Sequence, residues 1–274
     1  MNVRCTVVID NTSTRTDLRT EHGLCLHIQS AGQVLLLDAG KSNQLLGNLG
    51  KLGLDSIPPQ WIVLSHGHYD HITGVPALLG KFPDAKLHFH PCLLEPKWIL
   101  DAPGQWRYAG VLQSFSRLEP YLLPAFRASM ELISGVWTSG SVMGDEATTF
   151  ENGKFFRNPR GNLIADAFPD EQVLVVQGQK GISIVSGCCH AGVIRTIAKV
   201  RELFPQEPFD AFVGGLHLEG KSRAQMQELT QFMLAEGFGR IMPLHCSGTP
   251  YAVFLAEEYP QLYLPGGAGA MIEL

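Results

Sequence analysis

The residues best equipped for chemistry lie in one short run, Ser65-His66-Gly67-His68-Tyr69-Asp70-His71. Three imidazoles and a carboxylate so close together cannot all be buried unpaired without a large desolvation cost. They directly follow the apolar stretch Trp61–Leu64, which reads as a short buried strand, and Gly67 lets the backbone turn tightly behind it. Imidazole and carboxylate donors suit zinc, iron or manganese, and five or six of them are enough for two ions. His66 and His68, at i and i+2, point to the same side. Asp70 and His71 follow at the turn into a helix and can face a second ion. The alternative for this run is a solvated polar turn.

Three further histidines stand in the same kind of place. His190 ends Val185-Ser186-Gly187-Cys188-Cys189-His190, His217 follows Phe212-Val213-Gly214-Gly215, and His245 lies in Pro243-Leu244-His245-Cys246. Each follows an apolar run, and α/β scaffolds build sites from such strand ends. A lone histidine is more often a satisfied core or surface residue, but the repetition favours ligation for His190 and His245. His217 can equally donate a hydrogen bond to a substrate.

The elements that must position these groups can be read from the spacing of apolar residues. Arg4–Ile9, Leu24–Gln29 and Val34–Asp38 read as strands, with Ala31-Gly32 as the turn between the last two. Ser42–Leu52 has helical spacing and Gly53 as its stop; a helix from Gly74 to Leu79 and a strand over Lys86–Phe89 follow. The rhythm returns after Gln172. Val173–Gln177 and Gly181–Ser186 form a hairpin, Ala191–Leu203 and Ser222–Glu236 are helical, Phe209–Val213 and Arg240–Leu244 are strands, and Ala252–Glu258 is a helix. Strands precede strand–helix units in each half, which predicts an α/β fold with four layers, α-β-β-α: two mixed sheets packed face to face with helices outside. Residues 91–170 depart from this pattern. Seven prolines interrupt them, and Trp98, Trp106, Tyr108, Phe115, Tyr121, Phe126 and Trp137 crowd one stretch. The expectation is one domain over residues 1–274, with 91–170 an aromatic-rich insertion or lid, or else a satellite core.

Composition narrows the function classes. The chain has 274 residues, 45% hydrophobic and 17% charged, which is ordinary for a folded globular protein. Its net charge of −5 and the lack of a Lys/Arg cluster disfavour a nucleic-acid partner. No apolar run approaches a membrane span, and the N-terminus has no export-signal pattern, so a cytoplasmic protein is expected. The six cysteines are scattered, without a C-x-x-C pair, and read as reduced thiols rather than a disulfide framework or a cysteine-ligated cluster. A small-molecule substrate is the expected partner. The oligomeric state is left open, a dimer included.

The run His66-x-His68-x-Asp70-His71 after an apolar strand resembles the metal motif of the metallo-β-lactamase-fold hydrolases, and Val34–Gly40 resembles that family's early strand ending in Asp-Ala-Gly. Within the family the chain is similar to the group named for 7,8-dihydropterin-6-ylmethyl-4-(β-D-ribofuranosyl)aminobenzene 5′-phosphate synthase. The motifs that carry this likeness are Glu21-His22-Gly23-Leu24, Leu64–His71, Gly187-Cys188-Cys189-His190-Ala191-Gly192, Gly214-Gly215-Leu216-His217-Leu218 and Leu244-His245-Cys246. The resemblance implies that His66, His68 and His190 hold a first metal ion, and Asp70, His71 and His245 a second. Zinc is the first expectation for the two divalent ions, with manganese and iron as alternatives. The chain departs from the wider family at one point: Ser186-Gly187-Cys188 stands where Thr-Gly-Asp supplies a bridging aspartate. Either Cys188 supplies a soft thiolate ligand, or it is an inert buried thiol and no protein carboxylate bridges the pair.

With two ions in place, the expected reaction is hydrolysis of a small-molecule ester, phosphoester or cyclic phosphate by a metal-bound hydroxide. Asp70 would orient the nucleophile while it ligates. His217 and His22 would donate hydrogen bonds to the developing oxyanion or protonate the leaving group. Asp38 would act behind a ligand imidazole, or merely in a core turn. The competing readings are a pterin-type transferase, implied by the subgroup, and a non-catalytic metal or redox protein using Cys188, Cys189 and Cys246.

Overall fold

The computed structural model describes residues 2–111, 128–143 and 153–274. Sixteen strands and six α-helices are assigned within them. The first sheet is built from β1 (Val3–Ile9), β2 (Cys25–Ser30), β3 (Gln33–Leu37), β4 (Trp61–Val63) and β5 (Lys86–His88), with β16 (Met271–Glu273) at its edge, in the order β16-β1-β2-β3-β4-β5. The second contains β8 (Met130–Ile133), β9 (Val136–Thr138), β12 (Leu174–Gln177), β13 (Ile182–Ser186), β14 (Phe209–Gly214) and β15 (Arg240–Pro243), in the order β15-β14-β13-β12-β9-β8.

Alternation along the strands decides how the layers stack. Val3, Cys5 and Val7 of β1, with Leu26, Ile28, Leu35 and Leu37, meet Leu174, Val176, Val185 and Val213 of the second sheet in one buried cluster between the sheets. The opposite faces are covered by helices. Leu45 and Leu49 of α1 (Gln44–Lys51) and Val75, Leu78 and Leu79 of α3 (Val75–Lys81) cover Leu36 and Ile62. α4 (Val193–Leu203), α5 (Arg223–Ala235) and α6 (Thr249–Glu258) cover Ile184, Phe212 and Ile241. This is the four-layer α-β-β-α sandwich expected from the order of elements. α5 starts where expected because Ser222 and Gln225 cap it reciprocally.

Two regions of sheet were not anticipated. β16 pairs antiparallel with β1, Cys5 opposite Ile272. Its three residues, from a glycine-rich tail, are too short for a periodic signal. Within residues 91–170, β6 (Lys97–Ala102), β7 (Gln105–Tyr108), β10 (Phe155–Arg157) and β11 (Ile164–Ala165) form a separate four-stranded sheet, order β11-β10-β6-β7. β8 and β9, from the same stretch, instead join the second main sheet, where Val175 lies opposite Trp137. Trp137 therefore packs on Phe204 in the main body, whereas Trp98 meets Tyr108, and Trp106 meets Phe156, on the small sheet. Phe115, Tyr121 and Phe126 lie outside the described residues.

The site follows from strand direction. β3, β4 and β5 run parallel, as do β13, β14 and β15. Asp38 follows β3 and His66 follows β4; Cys188 and His190 follow β13, His217 follows β14, and His245 follows β15. The carboxyl ends of both parallel sets thus meet on one rim, where open α/β sheets place ligands.

Candidate metal centre

His66, His68 and His190 converge. Their ring centroids lie 4.7 Å (His66–His68), 4.8 Å (His66–His190) and 4.7 Å (His68–His190) apart, and Nε2 of His66 is 3.0 Å from Nδ1 of His68. All three are buried. Burial holds His66 and His190 neutral well below the usual histidine range and takes His68 down to about 3. Both ring nitrogens of His190 are buried with no hydrogen-bond partner. A buried imidazole left in that state is costly, and a cation shared with its two neighbours removes the cost.

Beside this trio, Asp70, His71 and His245 form the other half. Oδ2 of Asp70 lies 3.4 Å from Nε2 of His245 and 3.9 Å from Nε2 of His71, and the two Nε2 atoms are 3.2 Å apart. Burial alone would raise the Asp70 carboxyl, but His71, His22 and His245 overcome it and hold it well below the usual carboxylate range. For His71 burial works the other way, and Asp38 and Asp70 raise it to about 9. This half attracts positive charge, and the imidazole trio offers neutral nitrogen donors. Sγ of Cys188 sits between the halves, 3.2 Å from Nε2 of His71, in a group with His66 and His71 and in another with His245 and Cys246. The donor set fits divalent metal ions.

Supporting side chains fix which nitrogen each ring presents. Asp38, fully buried, accepts hydrogen bonds from Nδ1 of His71 at 2.6 Å, the Ser65 backbone at 2.7 Å and the Ser65 hydroxyl at 2.8 Å. The Ser65 hydroxyl, its proton committed to Asp38, accepts from Nδ1 of His66 at 2.9 Å. Asp38 thereby acts on two ligand candidates. Asn11 accepts from Nδ1 of His245 at 2.9 Å and Asp10 from its backbone N–H at 2.7 Å. Glu171 receives the backbone N–H groups of His190 and Ala191, each at 2.6 Å; burial nevertheless pushes its carboxyl up to about 7. Asp170 accepts from the Gly67 backbone at 2.8 Å and is itself paired with the fully buried Lys97, which also reaches Asp166. A Cβ on Gly67 would stand 2.4 Å from the Leu93 carbonyl oxygen and 2.7 Å from Cε of Lys97, so only glycine fits there.

Asp10, Asn11, Glu171, Asp170 and Lys97 were not legible in the sequence. Single polar residues carry no spacing signal; only their contacts with a ligand candidate, or for Lys97 with Asp170, reveal them. Backbone strain gives a further mark. Asp38, Cys189, His217 and His245 have φ values of 62°, 59°, 52° and 49°, a left-handed conformation costing about 1–3 kcal/mol per residue. Among the described residues, five of the six non-glycine residues in that region, with Phe168 stacked on His190, therefore belong to this rim or adjoin it.

His217 and His22 stand at the edges. The His217 ring is 4.3 Å from that of His190, with a buried Nδ1 that has no hydrogen-bond partner. His22, half-exposed, places Nε2 3.2 Å from Oδ2 of Asp70. A cavity of about 230 Å³ opens over the cluster, lined by His22, His68, Asp70, His190, His217 and His245, with Ile99, Arg107 and Phe155 from the small sheet on its other wall. Part of the 91–170 stretch thus does lie over the histidines.

Residues 18–138 match the model of the metallo-beta-lactamase superfamily. A 7,8-dihydropterin-6-methyl-4-(beta-D-ribofuranosyl)-aminobenzene-5'-phosphate synthase from Methanocaldococcus jannaschii is 23% identical over 93% of this chain and 90% of its own length. A solved structure of a metal-dependent hydrolase of the beta-lactamase superfamily superposes with a TM-score of 0.83 at 27% identity over 99% of both chains. Zinc-bound PqqB from Methylobacterium extorquens shares the fold at a TM-score of 0.59 and 13% identity over the full length of both. This fold, this rim of ligand candidates and these likenesses together give the chain the metallo-β-lactamase fold and make it similar to members of that superfamily.

Proposed function

We propose that the protein is a metal-dependent hydrolase of small-molecule esters, phosphoesters or cyclic phosphates. The observation that carries this reading is the convergence of two adjoining donor groups, one of neutral imidazoles and one built around the Asp70 carboxylate, at the floor of an open cavity. His66, His68 and His190 would hold one divalent ion, and Asp70, His71 and His245 the other, with Cys188 between them; zinc suits the imidazole-rich set. Such ions supply Lewis acidity and a nucleophile that is available at neutral pH.

The chain's own residues do the rest. Asp38 keeps Nε2 of His71 turned into the cluster, and Asn11 does the same for His245. Phe168 stacks on His190 at 4.1 Å and 3°, and Phe155 lies 5.0 Å from the same ring, so one side of the site is dry. His217, at the cavity wall, would hold the oxygen on which charge develops. A cavity of about 230 Å³ suits a small substrate, or the reactive end of a larger one.

A second reading, condensation of a pterin as in the synthase relative, rests on that likeness over 93% of the chain. Metal content measured on protein purified without an affinity tag, followed by an ester and phosphoester screen, tests the first reading. Two ions per chain and turnover abolished by a chelator and restored by zinc are expected. Full turnover by folded, metal-free protein overturns it. Tight pterin binding with no hydrolysis of any ester favours the second.

A further inference from the structure

We propose that His22 is a ligand of the second metal position and takes the place of the carboxylate that this chain lacks at Cys188. The proposal rests on the dinuclear reading above and concerns only how the second ion is held.

The atoms already form a group. Nε2 of His22 lies 3.2 Å from Oδ2 of Asp70, and Nε2 of His245 lies 3.4 Å from that same oxygen. One donor atom each from His22, Asp70 and His245 falls within 4.8 Å of the other two. The His22 and His245 rings stand 4.9 Å apart and tilted by 40°, so they converge rather than stack. Three donors turned towards one small volume is the arrangement an ion requires, and His71 borders it.

The backbone around His22 is anchored in a way that fixes this aim. Glu21, next to it, is buried and accepts hydrogen bonds from the backbones of Lys41 and Ser42 and from the Ser42 hydroxyl. Gly23, on its other side, has φ of 157°, and a Cβ there would stand 2.5 Å from the Asp70 carbonyl oxygen. The His22 turn is thus pressed against the backbone of the residue whose side chain it meets. Asn11 closes the arrangement, because its side-chain oxygen accepts from both the Gly23 backbone, at 3.3 Å, and Nδ1 of His245, at 2.9 Å. One amide therefore sets the position of both imidazoles.

Charge and exposure also agree. Asp70 is the one carboxylate in this group, so an additional neutral nitrogen donor raises the ligand count without adding like charge. Cys188 is buried, whereas His22 is half-exposed and closes the position from the solvent side.

The test is a cobalt(II) titration of the metal-free protein, followed by the visible absorption of the bound ion, for wild type, His22→Ala and His22→Gln. The wild type should take up two ions. Both variants should bind the first ion as the wild type does and the second at least about tenfold more weakly, with added imidazole restoring part of the loss in His22→Ala. As a check independent of the variants' folding, the wild-type cobalt protein should show a paramagnetically shifted ring N–H signal assigned to His22. Two ions bound with unchanged affinity in both variants, and no shifted His22 signal, overturn the proposal and leave His22 as a proton donor held by Asp70. Uptake of a single ion by the wild type overturns the dinuclear reading itself, and this assignment with it.

Discussion

At the inner end of the cluster, three buried imidazoles face one another with no carboxylate among them, and burial keeps them neutral. At the outer end, Asp70 is held ionised among His71, His245 and the half-exposed His22. As the proposed first metal position, the inner group would be a preformed nitrogen trap, because its buried neutral rings gain most from sharing a cation. The outer group balances its own charge through ion pairs, so it can persist without one. On the proposed dinuclear reading, two adjoining positions built from similar residues would therefore differ in how strongly they need a metal.

The most forceful way to break this contrast is to remove one donor from each end. His68→Ala and Asp70→Ala should both reduce turnover to background with an unchanged circular dichroism spectrum. His68→Ala should lose the ion that resists chelation, and Asp70→Ala the one that leaves first. Equal loss of both ions in either variant, followed by elemental analysis during timed chelation, would dissolve the distinction.

Lys97→Met should follow in size. It leaves Asp166 and Asp170 buried without their cation, a change that costs about 3–5 kcal/mol, read by urea unfolding. Because Asp170 holds the Gly67 backbone, the inner position should weaken more than the outer one.

His27 is a useful reference, a histidine buried in β2 away from the rim and lowered by burial to about 4. Its folded value lies below the unfolded one of about 6.5, so the unfolded chain takes up the proton first. Stability should therefore fall as the pH drops from about 6.5 to 4, by about 3 kcal/mol for this group. A His27→Leu variant should have a flatter stability profile over that window in metal-free protein. An identical slope would mean that this buried histidine is not held neutral.

The smallest effects should be the most discriminating. Glu171→Gln should weaken the inner ion alone, because the Glu171 carboxylate receives the backbone N–H groups of His190 and Ala191. Asp38→Asn should weaken both, since Asp38 reaches His71 directly and His66 through Ser65. Losses of about 10–100-fold in affinity are expected for such supporting residues. Isothermal titration of each variant with zinc measures them.

Much of this could be read before folding. His66, His68, Asp70 and His71 are dense enough in sequence to be noticed together, and His190, His217 and His245 each follow an apolar strand and were singled out by that context. The layer order was also legible, because strand and helix periods are local. The hairpin β8–β9 was not, because an aromatic, proline-rich stretch hides a two-strand contribution to a distant sheet, and pairing partners have no local signal. The roles of Asp10, Asn11, Glu171 and Lys97 were likewise invisible; each is one polar residue whose partner lies far along the chain.

The amino-acid order by itself determined the kinds of donor available, their attachment to strand ends and the alternation that gives two sheets with covered outer faces. Tertiary structure decided which donors meet. His245 and Asp70 are far apart in sequence, and only the packing of two sheets face to face brings their atoms to 3.4 Å. The same packing places Cys188 between two groups of imidazoles, whereas neighbouring strand ends of the first sheet bring His22 onto Asp70, and part of the small sheet lies over the cavity. The physical reason is that ligation depends on distances of a few ångströms between side chains. Local periodicity sets which way a side chain points, but the closure of the sandwich sets what it points at.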